Sequence, residues 1–431
     1  MRYKTIDSGL FIGNRRKLLK NIKPNSVVIL MSNDEYQRNG DQYHPYRQNS
    51  DMFYMTGLDQ EKCVLCLCPD HPTEALREIV FTVQTNESMV TWYGHKYSLE
   101  QASAVSGVKN TKWLDSFEDT VKDLILRSEN IYLNLHEDAR FSTEVLSQQL
   151  RFAQHLKNEY PLHNFERLNP LITELRLCKE PEEIGMMQQA CDITEKAFRR
   201  LLKSLRPGMM EYEIEAEISH EFIRNGSGGH AYYPIVASGV NACVLHYIKN
   251  DQRLKNGELI LLDFGAEYGN YAADLTRTVP INGKFNKRQK DCYNAVLRVQ
   301  RKATQLIVPG ATIEQINKDV TKLMEKEMIG LGLFTEKDVK NQNPDSPMYF
   351  KYYMHGNSHF IGLDVHDVGT RQVKLKPGMV LSCEPGIYIK EEEIGIRIEN
   401  DILVGKKGPI DLMKNIPIEV EEIEALMKSK K

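Results

Sequence analysis

Asp263, Asp274, His359, Glu384 and Glu399 are the residues of this chain whose types and spacing could do chemistry. They stand in LLDFGAEYGNYAADLTRT, HGNSHFIGLDVHD, LSCEPGIYI and GIRIEND. Four carboxylates and one imidazole directed at one point would repel one another unless cations lay between them, because buried carboxylates are tolerated when paired or metal-bound. Hard oxygen donors with a single nitrogen suit Mn2+, Co2+ or Zn2+ better than copper or an iron–sulfur cluster. Two divalent ions sharing bridging carboxylates, about 3.5–4 Å apart, generate a hydroxide nucleophile near neutral pH. The set therefore predicts two bound divalent ions and hydrolytic chemistry, provided the five residues converge.

Two hairpins must bring them together. ELILLDFGAEYGNYAADLTRTVPI carries apolar runs on both sides of Gly269-Asn270, the signature of a two-residue hairpin turn. With that turn, Asp274 faces Gly265, and Asp263 lies two residues away on the same face. The two carboxylates are then diagonal neighbours, roughly 7–8 Å apart at the backbone. In the same way MVLSCEPGIYI and IGIRIENDILV flank Lys390-Glu391-Glu392-Glu393, which puts Glu384 opposite Glu399. Pro385-Gly386 interrupts the first of these strands.

Three further histidines lie in or near the same segments: His246 in CVLHYIKN, His355 in HGNSH and His366 in VHDVG. Hydrolysis needs donors for a developing oxyanion and a proton for the departing nitrogen, and imidazoles can supply both. Arg397 shares the strand face of Glu399 and has two readings, pairing with a ligand carboxylate or holding a substrate carboxylate. Trp92, in TWYGHKYS, lines a pocket or serves packing. The KEEE run reads as a solvated turn.

The rest of the chain supplies the frame. Its 431 residues suggest two or three domains with a sizeable core. With 56 basic and 59 acidic residues and a net charge of −3, nothing favours nucleic acid or an anionic membrane surface. No apolar run approaches the ~18–20 residues of a membrane span, and the charged start MRYKTIDSGLFIGNRRKLLK does not read as a signal peptide. A cytoplasmic location is the expectation. The eight cysteines form no framework, and Cys63, Cys66 and Cys68 read as buried small hydrophobes of an apolar strand.

Residues 1–172 are expected to form an α/β domain, in which SVVIL, CVLCLC, EIVFTV and NIYLNL alternate with helical stretches. It has no Gly-rich phosphate loop. Residues 173–431 open on a long helix that starts at Pro181 with Glu182 and Glu183 behind it. A second helix follows, then strands carrying PIVASG and CVLHYI, the first hairpin, two more helices, an irregular loop at TEKDVKNQNPDSPMYF, the His359 segment and the second hairpin. VEEIEALMKSKK reads as a charged tail. The order of helix pair then hairpin, twice, is a coarse internal doubling.

HPYRQNSDMFYMTG, KEPEEIGMMQQA, PIVASGVNACVLHYIKN, LLDFGAEYGNYAADLTRT, HGNSHFIGLDVHDVG and EPGIYI with GIRIEND together resemble, in order and over nearly the whole chain, the Xaa-Pro aminopeptidase (aminopeptidase P) family. This is the proline-specific branch of the pita-bread metallopeptidases. The resemblance implies an α/β N-terminal domain and an α+β pita-bread catalytic domain with an internal pseudo-twofold. It implies release of the N-terminal residue from peptides with proline second, by a metal-bridging hydroxide attacking the scissile carbonyl. It implies that Asp263 chelates one ion, that Asp274 and Glu399 bridge, and that His359 and Glu384 serve the other, with Glu384 also the base. His246 would lie near the leaving proline nitrogen. His355 and His366 would bind substrate and stabilise the tetrahedral intermediate, with Tyr388 and Arg397 in support. The family commonly uses Mn2+ and forms dimers or tetramers, and Asp41 would border a neighbour's active site. The rival readings are prolidase, a dipeptidase with the same metal chemistry, and a non-catalytic pita-bread binding module. The link between Glu384 and Glu399 is shorter than in some relatives, and Cys383 beside Glu384 has no functional account.

Overall fold

A computed structural model describes residues 2–137 and 144–428. The chain divides into two compact units, Thr5–Arg176 and a second that combines the residues up to Lys4 with those from Leu177 onward.

The N-terminal unit is built on a mixed six-stranded sheet in the order Asn110–Trp113, Glu78–Thr82, Val64–Leu67, Ser26–Met31, Asn130–Leu133, Asn164–Arg167. The inner strands are apolar and β-branched, as a sheet covered on both faces requires. Val27, Ile29, Cys66 and Phe81 pack with Phe117, Val121 and Leu124 of helix Phe117–Leu126 and with Leu156 of helix Gln148–Glu159. Each such buried side chain contributes about 1.5–3 kcal/mol. All eight cysteines of the protein are free thiols; six are buried, and Cys178 and Cys243 are half-buried.

The RQNSD segment is structural. Asn49 caps helix Ser50–Thr56 by accepting from the Asp51 and Met52 amides. Gln48 is buried and donates to Ser32 Oγ, Leu58 O and Gln60 O. Asp51 accepts from Arg176 at 2.7 Å and from Asn134 at 2.8 Å, all within this unit.

The second unit repeats one motif. Helices Pro181–Ser204 and Glu211–Arg224 pack together and precede a hairpin spanning Leu259–Pro280. Helices Lys287–Leu306 and Ile313–Gly330 do the same before a hairpin spanning Val380–Gly405. The first helix opens with Pro181 in its first turn, and the Glu183 carboxylate accepts from the Glu180 amide at 2.9 Å. Beside the first hairpin, the Tyr3 ring meets Tyr268 edge-on with centroids 6.2 Å apart.

Three segments differ from the sequence reading. CVLHYI is not a strand. Gly239, at φ 54°, turns the chain into a 3-10 turn over Gly239–Cys243. The following residues run irregularly, with Leu245, His246 and Ile248 lining a cavity instead of joining a ladder. The polar 335–350 stretch contains a short capped helix, Glu336–Lys340. The charged C-terminal stretch forms helix Val420–Lys428, because Val420, Ile423 and Met427 repeat at helical spacing and bury one stripe. Residues 429–431 lie outside the described residues.

Candidate active site

The first hairpin, here the Asp hairpin, pairs Tyr268 with Tyr271 across Gly269-Asn270, and both turn residues have left-handed φ (58° and 65°), a type I′ turn. The ladder holds one register from Leu259↔Pro280 to Tyr268↔Tyr271. Asp263 therefore pairs with Thr276, and Asp274 falls opposite Gly265, as the sequence geometry requires. Regular strand lapses at this level. A Cβ on Gly265 would lie 1.7 Å from Ala273 O, so only glycine fits opposite the second aspartate.

The second, the Glu hairpin, keeps one register from Val380↔Leu403 to Ile389↔Ile394. Glu384 sits opposite Glu399 despite Pro385, whose carbonyl accepts from the Ile398 amide at 3.3 Å. The His359 segment joins the outer side of the same strand. Ser382 N donates to His359 O, and His359 N donates to Ser382 Oγ.

These elements deliver all five residues to one cavity of about 260 Å³, lined also by Tyr232, His246, His355, His366 and Arg397. Asp274, His359 and Glu399 each bring one donor atom within 4.8 Å of the others, close enough to share a cation. His359 Nδ1 donates to Phe360 O at 3.0 Å, and its Nε2 lies 3.3 Å from Asp274 Oδ2 and 3.6 Å from Glu384 Oε1. A ring nitrogen facing two carboxylates needs either a proton or a metal ion. Burial opposes charge on His359, yet Asp274 and Glu384 hold its imidazolium up to about 9. Burial, then Asp274 and Glu384, push the Glu399 carboxyl well above the usual range. Burial likewise raises Glu384 to about 7 and raises Asp263, against the pull of Arg397. The Tyr232 hydroxyl, with a single proton, lies 2.6 Å from both Asp263 Oδ1 and Asp274 Oδ1. Acceptors are in excess throughout, and a divalent cation fits this donor set. The imidazole's other nitrogen, tied to a main-chain carbonyl, is oriented as metal-ligating histidines usually are.

Arg397 pairs with the Asp263 carboxylate. Its Nη2 donates to Asp263, Nε to Thr276 Oγ1 at 3.0 Å and Nη1 to Tyr388 OH at 2.8 Å. The Tyr388 hydroxyl lies 2.8 Å from His355 Nε2, while His355 Nδ1 donates to Gly356 O at 2.7 Å. Burial and the nearby Arg397 charge lower His355 to about 4, so it is neutral. Tyr388 can then donate to Nε2 while accepting from Arg397. His366 stands with its ring centroid 4.4 Å from that of His359. His246 is exposed on the irregular wall and makes no hydrogen bond with the described residues. Asp41, in the exposed turn after Gln37–Asn39, and Trp92, 79% exposed on helix Glu87–Tyr93, belong to the N-terminal unit and are not among the cavity-lining residues.

Sequence reasoning missed three contributors. Tyr232 bridges the aspartates. Thr276 donates to Glu399 Oε2 at 2.5 Å. Asp401, wholly buried and held well above the carboxylate range by burial and Asp274, accepts from the Asp274 amide at 3.0 Å. Thr276 and Asp401 stand two residues beyond Asp274 and Glu399 on the same strands, a same-face signal.

Paired acid-bearing hairpins with a histidine beside them thus stand on a doubled helix–hairpin frame, and comparison with known proteins gives that frame its class. Residues 185–406 match the model of metallopeptidase family M24, and the chain belongs to that family. Residues 11–132 match the aminopeptidase P N-terminal domain, so the architecture is that domain followed by a pita-bread catalytic domain. The Xaa-Pro aminopeptidase of Haemophilus influenzae is 35% identical over 430 residues, covering 97% of this chain and 96% of the relative. A solved candidate aminopeptidase P from Bacillus anthracis superposes with a TM-score of 0.91 at 37% identity, covering 99% of both chains. The Escherichia coli aminopeptidase P with the inhibitor Pro-Leu superposes with a TM-score of 0.88 at 32% identity, again covering 99% of both.

Proposed function

We propose that this chain is a dinuclear metalloaminopeptidase that releases the N-terminal residue from peptides with proline in second position. The observation that carries this reading is the meeting of Asp263, Asp274, His359, Glu384 and Glu399 in one cavity of a family M24 fold. Those five would hold two divalent ions, which we assign as Mn2+, with Co2+ or Zn2+ as alternatives. When bound, such ions polarise the scissile carbonyl and acidify water.

The protein's own groups do the rest. Glu384, whose Oε1 lies 3.6 Å from His359 Nε2, is the carboxylate we assign to take up the proton of the attacking water. Arg397 fixes Asp263 and, through Tyr388, the His355 ring. A prolyl nitrogen in peptide linkage is a tertiary amide with no N–H, and it must gain a proton to leave as the secondary amine of the new N-terminal proline. His246, whose ring nitrogens are not committed elsewhere among the described residues, is the group we assign to that proton. His355 and His366 border the bound peptide, and Leu245, Ile248 and Val365 give the cavity apolar walls suited to the pyrrolidine ring.

Metal-free protein should regain cleavage of an Xaa-Pro-Yaa tripeptide when Mn2+, Co2+ or Zn2+ is returned. Cleavage confined to Xaa-Pro dipeptides would transfer the chain to prolidase, and full activity without metal would sink the reading. The dipeptidase and the non-catalytic module are not favoured, since the relatives are named Xaa-Pro aminopeptidases and the ligand set is complete. We further propose a cytoplasmic location, supported by eight free thiols, and a homo-oligomer, dimer or tetramer, in which Asp41 borders a neighbouring copy's active site. Sedimentation velocity tests the latter.

A further inference from the structure

We propose that Arg277 and Asp401 are positioning residues forming a reciprocal clamp, in which each hairpin grips the main chain beside the shared carboxylate of the other. The proposal rests on the reading of Asp274 and Glu399 as the shared ligands of the cation site.

Arg277 stands in the Asp hairpin three residues after Asp274 and is wholly buried. A buried guanidinium ordinarily has a carboxylate partner. All the hydrogen bonds of Arg277 instead end on neutral oxygens. Nη1 donates to Thr276 O at 2.9 Å and to Glu399 O at 2.7 Å. Nη2 donates to Asn400 Oδ1 at 2.7 Å, and Nε to Pro417 O at 3.0 Å. Two of these four bonds therefore hold the Glu hairpin at Glu399 and the residue after it.

Asp401 answers from the Glu hairpin, two residues after Glu399. It is also wholly buried. Its Oδ2 accepts from the Asp274 amide at 3.0 Å and from Cys191 Sγ at 3.5 Å, while Oδ1 has no hydrogen-bond partner. A carboxyl buried in this way serves the Asp274 main chain above all.

The need for such a clamp lies in the topology. The strand carrying Thr276 and the strand following Glu399 belong to different three-stranded sheets, so no continuous ladder sets the distance between the hairpins. A cation site shared between them tolerates little drift, and supporting contacts of this kind typically govern metal affinity by about 10–100-fold. Between the two grips, Glu399 N donates to Thr276 O at 3.0 Å, closing the junction.

The test uses the full chain, stripped of metal and titrated with Mn2+ alone by calorimetry, alongside thermal unfolding and kcat and KM on an Xaa-Pro-Yaa peptide. Asp401→Leu should weaken Mn2+ binding about tenfold or more and lower kcat similarly, with KM within about twofold. Asp401→Asn, whose amide oxygen can still accept from Asp274, should restore binding. Arg277→Lys, too short to reach both hairpins, should weaken binding like Asp401→Leu. Folded Asp401→Leu and Arg277→Lys proteins with the wild-type Mn2+ isotherm would overturn the clamp, as would an Asn variant no better than Leu. If Asp401→Leu does not fold, Arg277→Lys decides; if neither folds, the pair is a folding element and the positioning role is overturned. Wild-type protein that binds no Mn2+ would instead count against the cation site itself.

Discussion

The two hairpins share a ladder plan and differ at their tips. In each, an unbroken register runs through a short lapse in regular strand, and the acids stand at that lapse. The tip of the Asp hairpin is buried and docked on the first long helix. Tyr271 OH donates to Glu183 Oε1 at 3.0 Å, and the Ala266 amide donates to Thr194 Oγ1 at 3.0 Å. The tip of the Glu hairpin is exposed and braced by surface ion pairs, Arg288–Glu392 and Lys351–Glu391. A buried tip demands a two-residue turn with left-handed Gly and Asn. A solvated tip accepts four charged residues. The acids are thus placed by ladder register, which both hairpins keep, while turn chemistry follows the surroundings of the tip.

The sharpest way to break this equivalence is at the acids. Asp274→Ala should abolish metal binding at its site and lower kcat on the order of 10³ or more, with circular dichroism unchanged. Retained activity would mean that the Asp hairpin is not half of the centre. His246→Ala tests the converse, because His246 lies on neither hairpin. It should lower turnover about a hundredfold while metal content, read by elemental analysis, stays at the wild-type ratio. Loss of metal there would show that His246 itself belongs to the cation site.

Paired glycine substitutions compare the lapses. Gly265→Ala drives a Cβ into a main-chain carbonyl and should cost at least about 3 kcal/mol in denaturant unfolding. Gly386→Ala would meet Tyr388 OH at 2.7 Å and the Ile396 carbonyl only at 3.0 Å, so it should cost less, about 1–2 kcal/mol, yet lower kcat by moving Tyr388 off His355. Equal costs would refute the contrast. At the tips the effects run from pH-dependent to very small. Burial raises Glu183 from 4.5 to about 7, so the folded state holds its proton more tightly than the unfolded one. Its stabilisation is complete below pH 4.5 and is lost as pH rises through 7. The stability difference between wild type and Glu183→Gln should therefore shift against wild type over that window, by roughly 3 kcal/mol at most. Glu392→Ala, on the solvated tip, should stay within about 0.5 kcal/mol.

Register explains what could be read from sequence. Gly269-Asn270 and the alternating apolar runs specify one ladder, and the distance from turn to acid does the rest, so Asp263, Asp274, Glu384 and Glu399 were locatable by counting. Tyr232 was not. It adjoins Tyr233, and nothing local says that one hydroxyl reaches both aspartates while the other ring is 81% exposed. CVLHYI has strand composition, yet Leu245 and Ile248 face a cavity and Val244 faces solvent, and an absent pairing partner leaves no local mark. The C-terminal helix was hidden by its acids, although its buried stripe at 420, 423 and 427 was there to count. Arg277 and Asp401 act through main-chain atoms over a hundred residues away, which local pattern cannot show.

The cysteine distribution has a practical use. Only Cys178 and Cys243 are half-buried, and Cys243 ends the 3-10 turn against the Glu hairpin, its Sγ donating to Ile394 O at 3.6 Å. With Cys178 replaced by serine, a thiol-reactive fluorophore would label the native protein at a single place beside the cavity wall. Its emission would follow peptide binding in real time without touching any of the acids.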